Sequence, residues 1–379
     1  MKTTVSVIKA DIGSLGGHAM PHPAMMDACR KGMAEGVKAG TIQDYYVTRC
    51  GDDIQLLMLH DRGEGNEKVH KLAWDTFVAG TKVAKDLKVY AAGQDLLTDA
   101  FSGNVKGLGP GAAEITFEPR KSEPMIFLFA DKTEPSAYSL PLCRIFMDPF
   151  TTTGLIIDPR MKEGFDFEVQ DVMDSLRVNL VTPEEAYDLL CLLGDTTRYA
   201  IKRIKSRDKE LGEAAVVSTD KLNVSAGKYV GKDDPVCVLR SQAGLPATGE
   251  IMQPFMTPML VAGWNRGSHY GAWYPCAVED SAPVFFDGPP RLCAISMQIG
   301  DGRFQGAEPK DSKPGDHLPV DMFAGSVWDT VRRQSVELSV AMRRHGPFMP
   351  AIVPPEELEY TTRPTVLKKL SSRMQKMEK

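Results

Sequence analysis

The residues that suggest chemistry in this 379-residue chain are aspartates at the ends of predicted strands and in tight turns. Seven share that placement: Asp11, Asp52, Asp53, Asp131, Asp233, Asp234 and Asp287. Aspartate is a common turn residue, so a structural role in the turn is an alternative to a functional role for each of these residues taken alone. The two adjacent pairs, however, repel each other unless a cation lies between the carboxylates. Oxygen ligands in this number favour Mg²⁺, and His18 and Gln94 are candidates to add a nitrogen and an amide oxygen.

A lysine lies beside one of the acidic pairs, in the segment Lys228-Tyr229-Val230-Gly231-Lys232-Asp233-Asp234-Pro235. A surface ion pair is the simpler interpretation of this lysine. The alternative is an amine that forms a Schiff base with a carbonyl while the Tyr229 phenol moves a proton at carbon. Neighbouring carboxylates raise a lysine pKa, so Lys232 would need burial or a nearby metal ion to be reactive.

A glycine-rich segment, 101–111, offers backbone amides to an anion such as a phosphate, although a plain loop is an equal alternative. Lys132 and Arg266 are candidate counter-charges for that phosphate. The chain lacks GxSxG, HExxH, a P-loop and a dinucleotide-binding GxGxxG after its first strand. Serine hydrolases, zinc proteases and nucleotide-dependent dehydrogenases are therefore disfavoured. The residues alone favour a Mg²⁺ enzyme that acts on a small phosphorylated molecule.

Composition narrows the classes of protein further. The net charge of −5 argues against a nucleic-acid-binding protein. No apolar run reaches the roughly 18 residues of a membrane span, and the first residues resemble a strand rather than a signal peptide. Seven cysteines with no CxxC spacing fit free thiols in the cytoplasm. We expect no nucleic-acid or membrane partner.

Hydrophobic periodicity predicts the elements that would carry these residues. Strands are predicted at 3–10, 42–49, 54–59, 113–118, 125–130, 154–157, 165–172 and 176–180. Helices are predicted at 23–38, 67–88 and 326–345. Thr182-Pro183-Glu184-Glu185 resembles a capping box and predicts a further helix that runs to about 205. Strand pairs mixed with helices, without regular βαβ alternation, predict an α+β fold in which sheets pack together under helices.

Five of these blocks, in this order, resemble the archaeal-type bifunctional fructose-1,6-bisphosphate aldolase/phosphatases. The matching blocks are Asp11 with Gly16-Gly17-His18, Gly51-Asp52-Asp53, Asp131-Lys132, Tyr229 to Pro235, and Phe285-Phe286-Asp287-Gly288-Pro289-Pro290. The resemblance covers essentially the whole chain, which is therefore expected to be a single domain over 1–379. It implies a four-layer α-β-β-α sandwich and a homo-oligomer, with the octamer as the expected size.

The resemblance also implies a gluconeogenic enzyme that runs two reactions in one pocket. Dihydroxyacetone phosphate and glyceraldehyde 3-phosphate condense to fructose 1,6-bisphosphate, whose 1-phosphate is then hydrolysed to leave fructose 6-phosphate. Lys232 would form the Schiff base, and Tyr229 would donate and accept the proton. The expected ligands of several Mg²⁺ ions are Asp11, His18, Asp52, Asp53, Gln94, Asp131, Asp233, Asp234 and Asp287. The expected contacts to the sugar and its phosphates are His18, Tyr90, Gly103, Asn104, Lys132, Gln242, Ala243, Arg266, Asp287 and Tyr360.

One segment, 300–322, departs from the family pattern because it is longer than expected and rich in Gly, Pro and Asp. It is predicted to be an inserted surface loop, and a basic tail is predicted from about residue 368. The role of Tyr360 depends on the register after this segment; with another register, Phe348 would occupy a nearby position.

Two rival functions follow from the same residues. A Mg²⁺-dependent sugar phosphatase would use the carboxylates without Lys232 and Tyr229. A catalytically silent oligomer that binds metal and phosphate would need neither residue.

Overall fold

The computed structural model describes residues 2–96, 109–196, 198–221, 233–261, 271–285, 288–345 and 363–375. The helices of this part are α1 (Pro23–Lys38), α2 (Glu67–Asp86), α3 (Ser139–Met147), α4 (Gly154–Ile157), α5 (Ala186–Leu193), α6 (Thr248–Met252), α7 (Asp329–His345) and α8 (Arg363–Ser371). Its first nine strands are β1 (Thr3–Asp11), β2 (Asp44–Cys50), β3 (Asp53–His60), β4 (Gly111–Phe117), β5 (Glu123–Asp131), β6 (Phe165–Asp171), β7 (Leu176–Val181), β8 (Tyr199–Ser206) and β9 (Glu213–Val217). They are followed by β10 (Asp220–Lys221), β11 (Val236–Arg240), β12 (Leu260–Val261), β13 (Gly271–Ala272), β14 (Tyr274–Pro275), β15 (Arg291–Gly300), β16 (Arg303–Gln305) and β17 (Val320–Asp321).

Two sheets form the frame of the described part. The first is antiparallel with the strand order β10-β4-β1-β3-β2. The second has the order β14-β15-β5-β11-β9-β8-β6-β7, and β16 and β17 pair with β15 beside that path. All its pairs are antiparallel except β14 with β15. The α+β class predicted from the sequence is confirmed.

Strands such as β1, β3 and β5 are buried on both faces, and the described residues form three hydrophobic cores. Ile8 of β1 packs with Met25 of α1 and Phe77 of α2, on one face of the first sheet. The other face of that sheet meets the second sheet, where Val7 shares a core with Phe127 of β5. The far face of the second sheet packs against helices that include α3, α5 and α6. This succession of cores is what a four-layer α-β-β-α sandwich would produce, and the layering stays a prediction.

Most predicted elements near the chemistry are found at or close to their predicted bounds. The helix at 23–38 is confirmed at both ends, where Pro23 occupies the first turn and the His22 ring accepts the Ala24 amide at 3.1 Å. The strands predicted at 3–10 and 54–59 each extend by one or two residues. Among the described residues, no helix is both long and apolar enough to cross a membrane.

Two predicted elements are wrong. Residues 154–157 form the short helix α4 rather than a strand, and Ile156 and Ile157 are exposed. The helix predicted from Thr182 to about 205 is only α5, and residues 199–206 are the strand β8 between β6 and β9. Thr182 does not cap α5, which begins only at Ala186; its hydroxyl instead accepts the Phe165 amide at 3.3 Å and donates to the Phe165 carbonyl at 3.1 Å.

The segment 300–322 is attached to the body of the protein rather than projecting from it. The strands β16 and β17 within it both pair with β15. Between them, the buried His317 ring lies 3.0 Å from Asp44 of β2 and 3.0 Å from Glu308. Carboxylates on both sides of the ring outweigh its burial and raise the pKa of His317. The two hydrogen bonds of the ring therefore connect this segment to the first sheet.

A second buried network joins β1, β3 and β4. The Arg62 amide donates to His60 Nδ1 at 3.2 Å, so the ring proton lies on Nε2 and is donated to Ser6 Oγ at 2.8 Å. Ser6 in turn donates to Glu114 at 2.5 Å. Since the serine proton points to a carboxylate and not to the histidine, this Ser/His/Glu set is structural and does not form a nucleophile. Burial lowers the pKa of His60 from 6.5 to about 4.

This lowered pKa predicts an acid-sensitive stability. The unfolded chain binds a proton at His60 near pH 6.5, whereas the folded protein resists it down to about pH 4. The contribution is therefore complete above pH 6.5 and is lost as the pH falls through that window, up to about 3 kcal/mol. Urea unfolding measured at pH 7 and at pH 5 should show that the free energy of unfolding falls less between these pH values in His60→Gln than in the wild type.

The matched control for this measurement is His345→Gln, at the exposed end of α7. Its loss between the two pH values should equal that of the wild type. An unchanged loss in His60→Gln would contradict the assignment.

Candidate active site

The carboxylates predicted from the sequence converge where four segments end. Asp11 closes β1 and lies opposite Asp53, the first residue of β3. Asp131 closes β5, and Asp234 lies two residues before β11. Because β5 and β11 are antiparallel neighbours, the end of one lies beside the start of the other. The strand ends thus place carboxylates from both sheets at one edge.

The turn between β2 and β3 allows the closest approach. Gly51 has φ +57°, a left-handed conformation that glycine adopts without steric cost. A Cβ atom at this position would overlap the Asp131 carboxylate. Glycine at position 51 is therefore required by both the turn and the neighbouring sheet.

The first acidic group consists of Asp11, His18 and Asp52, with one ligand atom of each within 4.8 Å of the others. His18 Nδ1 lies 3.1 Å from Asp52 Oδ2. One Asp11 oxygen accepts the Gly13 amide at 3.0 Å, which fixes the carboxylate over the glycine turn. The second acidic group consists of Asp53, Asp131 and Asp234, again within 4.8 Å. The Thr133 amide orients Asp234 by donating to its Oδ1 at 2.7 Å.

Lys132 joins the two groups. Its ammonium donates to Asp52 Oδ1 at 2.7 Å and to Asp131 Oδ1 at 2.6 Å. The residue has φ +64°, a conformation that costs an L-amino acid about 1–3 kcal/mol and occurs preferentially at functional sites. Of the three described cations at the site, Lys132 is the least buried, with 12% of its side chain exposed, against 1% for Lys9 and 0% for Arg291. It is therefore the cation best placed to exchange partners.

Arg291, the first residue of β15, is a buried cation on the other side of the second group. Its guanidinium forms an ion pair with Asp131 and donates to the carbonyl oxygens of His18 at 3.1 Å and Pro283 at 3.0 Å. One side chain thus joins a carboxylate of the second group to the loop that carries the histidine of the first.

The pKa values of the two carboxylates in the first group are shifted in opposite directions. Burial and the nearby Asp52, Asp53 and Asp95 carboxylates raise the pKa of Asp11 well above its usual value. Burial also acts to raise the pKa of Asp52, but the Lys132 ammonium and the His18 ring outweigh it and hold that pKa well below the usual range. In the second group, burial and the adjacent Asp233 raise the pKa of Asp234 to about 7. Buried carboxylates with pKa values this far apart are typical of catalytic and metal-binding sites.

These donors fit divalent cations. Both groups are built from carboxylate oxygens, with one imidazole nitrogen and no thiolate, which is the ligand chemistry of hard divalent ions. Carboxylates this close together and this deeply buried also leave negative charge that a divalent ion would neutralise.

Three further predicted residues lie near the groups. Tyr90 packs the edge of its ring against His18, with 5.2 Å between the ring centroids. Gln94 begins a single 3₁₀ turn, Gln94–Leu96, next to Asp95. Asp233 directly precedes Asp234 and is partly buried.

Gln242 and Ala243 lie elsewhere. They follow β11 at the end opposite to Asp234, and the length of that strand puts about 17 Å between them and Asp234. Arg120 donates to the Gln242 carbonyl at 2.6 Å, and Arg160 donates to the Ala243 carbonyl at 3.2 Å. Both residues have positive φ angles, of +66° and +50°. The structure does not bring this tight turn to the acidic groups of the same chain.

The remaining predicted residues lie outside the described residues: Tyr229, Lys232, Gly103, Asn104, Arg266, Asp287 and Tyr360.

Three residues of the site were missed by the sequence analysis. Lys9 is a buried cation of β1 that contacts Asp53, and Arg291 is the buried partner of Asp131. Asp95 accepts the Asp11 amide at 2.9 Å. The available signal for Lys9 was its place next to Ile8 and Ala10 in the predicted first strand, two residues before Asp11. Asp95 adjoins the predicted ligand Gln94, which was an equally local signal.

Comparisons with known proteins agree with this geometry. A family model described as fructose-1,6-bisphosphatase matches residues 2–375. A protein of Methanothermobacter marburgensis named fructose-1,6-bisphosphate aldolase/phosphatase is 51% identical over 379 residues, which is 100% of both chains. Proteins with the same name from Ignicoccus hospitalis and Sulfurisphaera tokodaii are each 52% identical. They cover 98% and 99% of this chain, and 92% and 94% of their own lengths are matched.

The close approach at Gly51 predicts a specific effect on metal binding. Gly51→Ala should place a methyl group against the Asp131 carboxylate and weaken divalent-ion binding about tenfold or more, which is about 1.4 kcal/mol. Titration calorimetry with Mg²⁺ or Mn²⁺ would measure this change.

Gly40→Ala is the matched control, because Gly40 has φ +66° with no neighbouring atom within 4 Å of the added carbon. Both variants should lose about 1–2 kcal/mol of stability from the left-handed backbone, and only Gly51→Ala should lose metal affinity. Equal metal affinities in the two variants would contradict the arrangement described above.

Proposed function

This chain belongs to the fructose-1,6-bisphosphatase family, and we propose that it performs two consecutive reactions of gluconeogenesis in one pocket. It condenses dihydroxyacetone phosphate and glyceraldehyde 3-phosphate to fructose 1,6-bisphosphate. It then hydrolyses the 1-phosphate and releases fructose 6-phosphate and inorganic phosphate. Its relatives, about half identical over nearly their whole lengths, are named for both activities.

The observation that carries this proposal is the pair of buried acidic groups joined by one lysine ammonium. A phosphate monoester dianion needs positive charge on its oxygens, an activated water and stabilisation of the leaving oxygen. The two acidic groups are joined by the Lys132 ammonium, so divalent ions held by each group can contact one phosphate from two sides. An isolated surface pair of aspartates would not provide this arrangement.

We propose Mg²⁺ as the divalent ion, held by Asp11, His18, Asp52, Asp53, Gln94, Asp131, Asp233, Asp234 and Asp287. When bound, such ions would neutralise the phosphate and lower the pKa of a water. The protein's own residues position the substrate. Lys132 can transfer its hydrogen bonds from the Asp52 and Asp131 carboxylates to phosphate oxygens, and the ring of Tyr90 keeps that of His18 in place.

For the condensation, we propose Lys232 as the amine that attacks the carbonyl carbon of dihydroxyacetone phosphate. Loss of water then gives the Schiff base, and Tyr229 accepts the proton from carbon 3. The resulting carbon nucleophile attacks the aldehyde of glyceraldehyde 3-phosphate, whose oxygen takes the proton back from Tyr229. Water then hydrolyses the Schiff base and releases the product from the free lysine amine. These roles rest on the sequence motif that ends in Asp233-Asp234. On the same basis, Gly103, Asn104, Arg266, Asp287 and Tyr360 would bind the sugar and its phosphates.

The position of Gln242 and Ala243 supports a proposal about assembly. If these residues bind substrate, they must bind it in the pocket of another copy, because β11 separates them from the acidic groups of their own chain. Large exposed apolar side chains are available for contacts between copies: Phe150, Ile156, Ile157 and Tyr187 are 95%, 73%, 75% and 78% exposed. We propose a homo-oligomer, with the octamer as the expected size.

We further propose a cytoplasmic location without nucleic-acid or membrane partners. All seven cysteines are free, and Cys191 is exposed, which suits a reducing compartment. The net charge of −5 disfavours phosphate-backbone binding.

The two activities should separate in variants. Purified protein with Mg²⁺ and both triose phosphates should release inorganic phosphate and fructose 6-phosphate, whereas either triose alone should release none. Lys232→Arg should abolish this release while keeping part of the hydrolysis of added fructose 1,6-bisphosphate. Asp131→Asn should lower that hydrolysis about 100-fold or more, because it removes a charge that holds the metal ion.

Two outcomes would overturn parts of this scheme. Phosphate release from fructose 1,6-bisphosphate but not from the paired trioses would leave a plain phosphatase. Equal loss of both activities in Lys232→Arg would contradict separate roles for the lysine and the carboxylates.

The shared pocket predicts complementation between inactive chains. Asp131→Asn damages the acidic groups, and Gln242→Ala damages the turn that would enter another copy's pocket. Co-expressed chains that carry one change each should form mixed oligomers in which some pockets contain both wild-type residues. Such oligomers should regain about a quarter of the wild-type activity if each pocket draws on two randomly paired chains.

The control is a single chain that carries both changes, which should stay inactive at the same oligomeric state by light scattering. Mixed oligomers with no more activity than either parent would contradict the contribution of a second copy.

A further inference from the structure

Lys9 carries a buried ammonium next to the second acidic group. It is neither a proposed metal ligand nor a proposed substrate contact. It lies in β1 opposite Gln55 of β3 and is 1% exposed. Its side chain is on the face of β1 that carries Val5 and Val7, which pack between the two sheets. A lysine in this layer would be costly without a partner, since burial disfavours its charged form.

The partners of Lys9 come from both sheets. Its Nζ atom donates to both oxygens of Asp53 at 3.1 Å each and lies 3.8 Å from Asp234 Oδ2. Asp53 begins β3 of the first sheet, and Asp234 precedes β11 of the second. These contacts compensate the ammonium for its burial, so Lys9 brings positive charge to this point.

An ordinary structural ion pair in the second sheet provides the comparison. Arg240 is equally buried, and its guanidinium donates to both oxygens of Glu123 at 2.9 Å. There, at the far end of β11, Arg240 shares the single Glu123 carboxylate with Arg120, which donates to the same two oxygens at 3.0 and 2.6 Å. Lys9 instead faces a group of three carboxylates, and the third, Asp131, is already paired with Lys132 and Arg291. Its ammonium thus adds fixed positive charge at a place where the protein also fits a divalent ion.

We propose that Lys9 is a built-in counter-charge that sets the affinity of the second acidic group for divalent cations. It partly neutralises Asp53 and Asp234 when no metal is bound and weakens the attraction for an incoming ion. The ion consequently binds reversibly instead of being trapped by three bare carboxylates. Each Asp53 oxygen keeps a further acceptor site beyond its hydrogen bond to Lys9. This inference rests on the proposed divalent site but on neither reaction, so metal binding can test it without turnover.

Removal of Lys9 would change the metal affinity in different ways for different roles of this residue. A residue that merely orients Asp53 for the metal should, when removed, weaken metal binding. A residue that merely holds the two sheets together should change stability equally with and without metal. A counter-charge should, when removed, make metal binding tighter, because one positive charge near the cation has disappeared.

The experiment measures Mn²⁺ binding by the electron paramagnetic resonance signal of the free ion, on full-length protein without substrate. Lys9→Met should bind Mn²⁺ about tenfold or more tightly than the wild type. Lys9→Arg, which keeps the charge, should stay close to the wild-type affinity. The melting temperature should also rise more on saturation with Mn²⁺ in Lys9→Met than in the wild type, by linkage to the tighter binding.

Arg240→Met is the matched control, because it removes a buried cation from a carboxylate at the other end of β11. That end lies about 17 Å along the strand from Asp234, and Arg120 still pairs with Glu123 in the variant, so the Mn²⁺ affinity should stay within about twofold of the wild type. Lys9→Gln, which keeps a hydrogen-bond donor but not the charge, is the second variant if Lys9→Met folds poorly, and the same tightening is expected.

Three outcomes would overturn the proposal. One is weaker or unchanged Mn²⁺ binding in both neutral variants. Another is tightening of the same size in Arg240→Met. The third is failure of both neutral variants to fold even in saturating Mn²⁺, since the divalent ion should replace the missing charge.

Discussion

Repulsion among buried carboxylates is the constraint on which this structure depends. Asp11, Asp52, Asp53, Asp95 and Asp131 are each less than a tenth exposed, and Asp234 is only slightly more so. Ionised carboxylates cannot share such a space without cations. Lys9, Lys132 and Arg291 supply fixed positive charge, and the donor set fits divalent ions for the remainder. The protein thus maintains a region of negative charge that is only partly neutralised, which is what a phosphate-handling metal site needs.

The scaffold holds this charge by placing it at strand ends. The strand β1 runs through the centre of the first sheet, and β5 and β11 are neighbours in the second, so three rigid elements deliver carboxylates to one edge. Backbone geometry completes the site, with Gly51 allowing one sheet to approach the other and Lys132 held in a left-handed conformation. Strain of this kind persists only where the surroundings determine the conformation. The cations differ in burial: Lys9 and Arg291 are fully buried, whereas Lys132 is partly exposed and accessible to a substrate phosphate.

The sequence allowed the α+β class and the acidic groups to be predicted because strand ends and turn aspartates are local patterns. It did not reveal Lys9 or Arg291, because a single charged residue in a strand resembles a solvent-facing one until the opposing sheet is known. The helix predicted to 205 was wrong for a related reason. Pairing with β6 and β9 decides the structure of residues 199–206, and those partners are distant in the sequence. Gln242 and Ala243 were expected to contact the sugar and its phosphates, and the direction of β11 places them at the end of that strand opposite to Asp234.

The most direct test of this account is anomalous diffraction from crystals of the full-length protein soaked in Mn²⁺. We expect one strong peak among Asp11, His18 and Asp52 and another among Asp53, Asp131 and Asp234. Lys9 should remain hydrogen-bonded to Asp53 in those crystals. Peaks confined to surface carboxylates, or a Lys9 side chain displaced from Asp53 by the metal, would contradict the view that fixed cations and exchangeable divalent ions share this acidic centre.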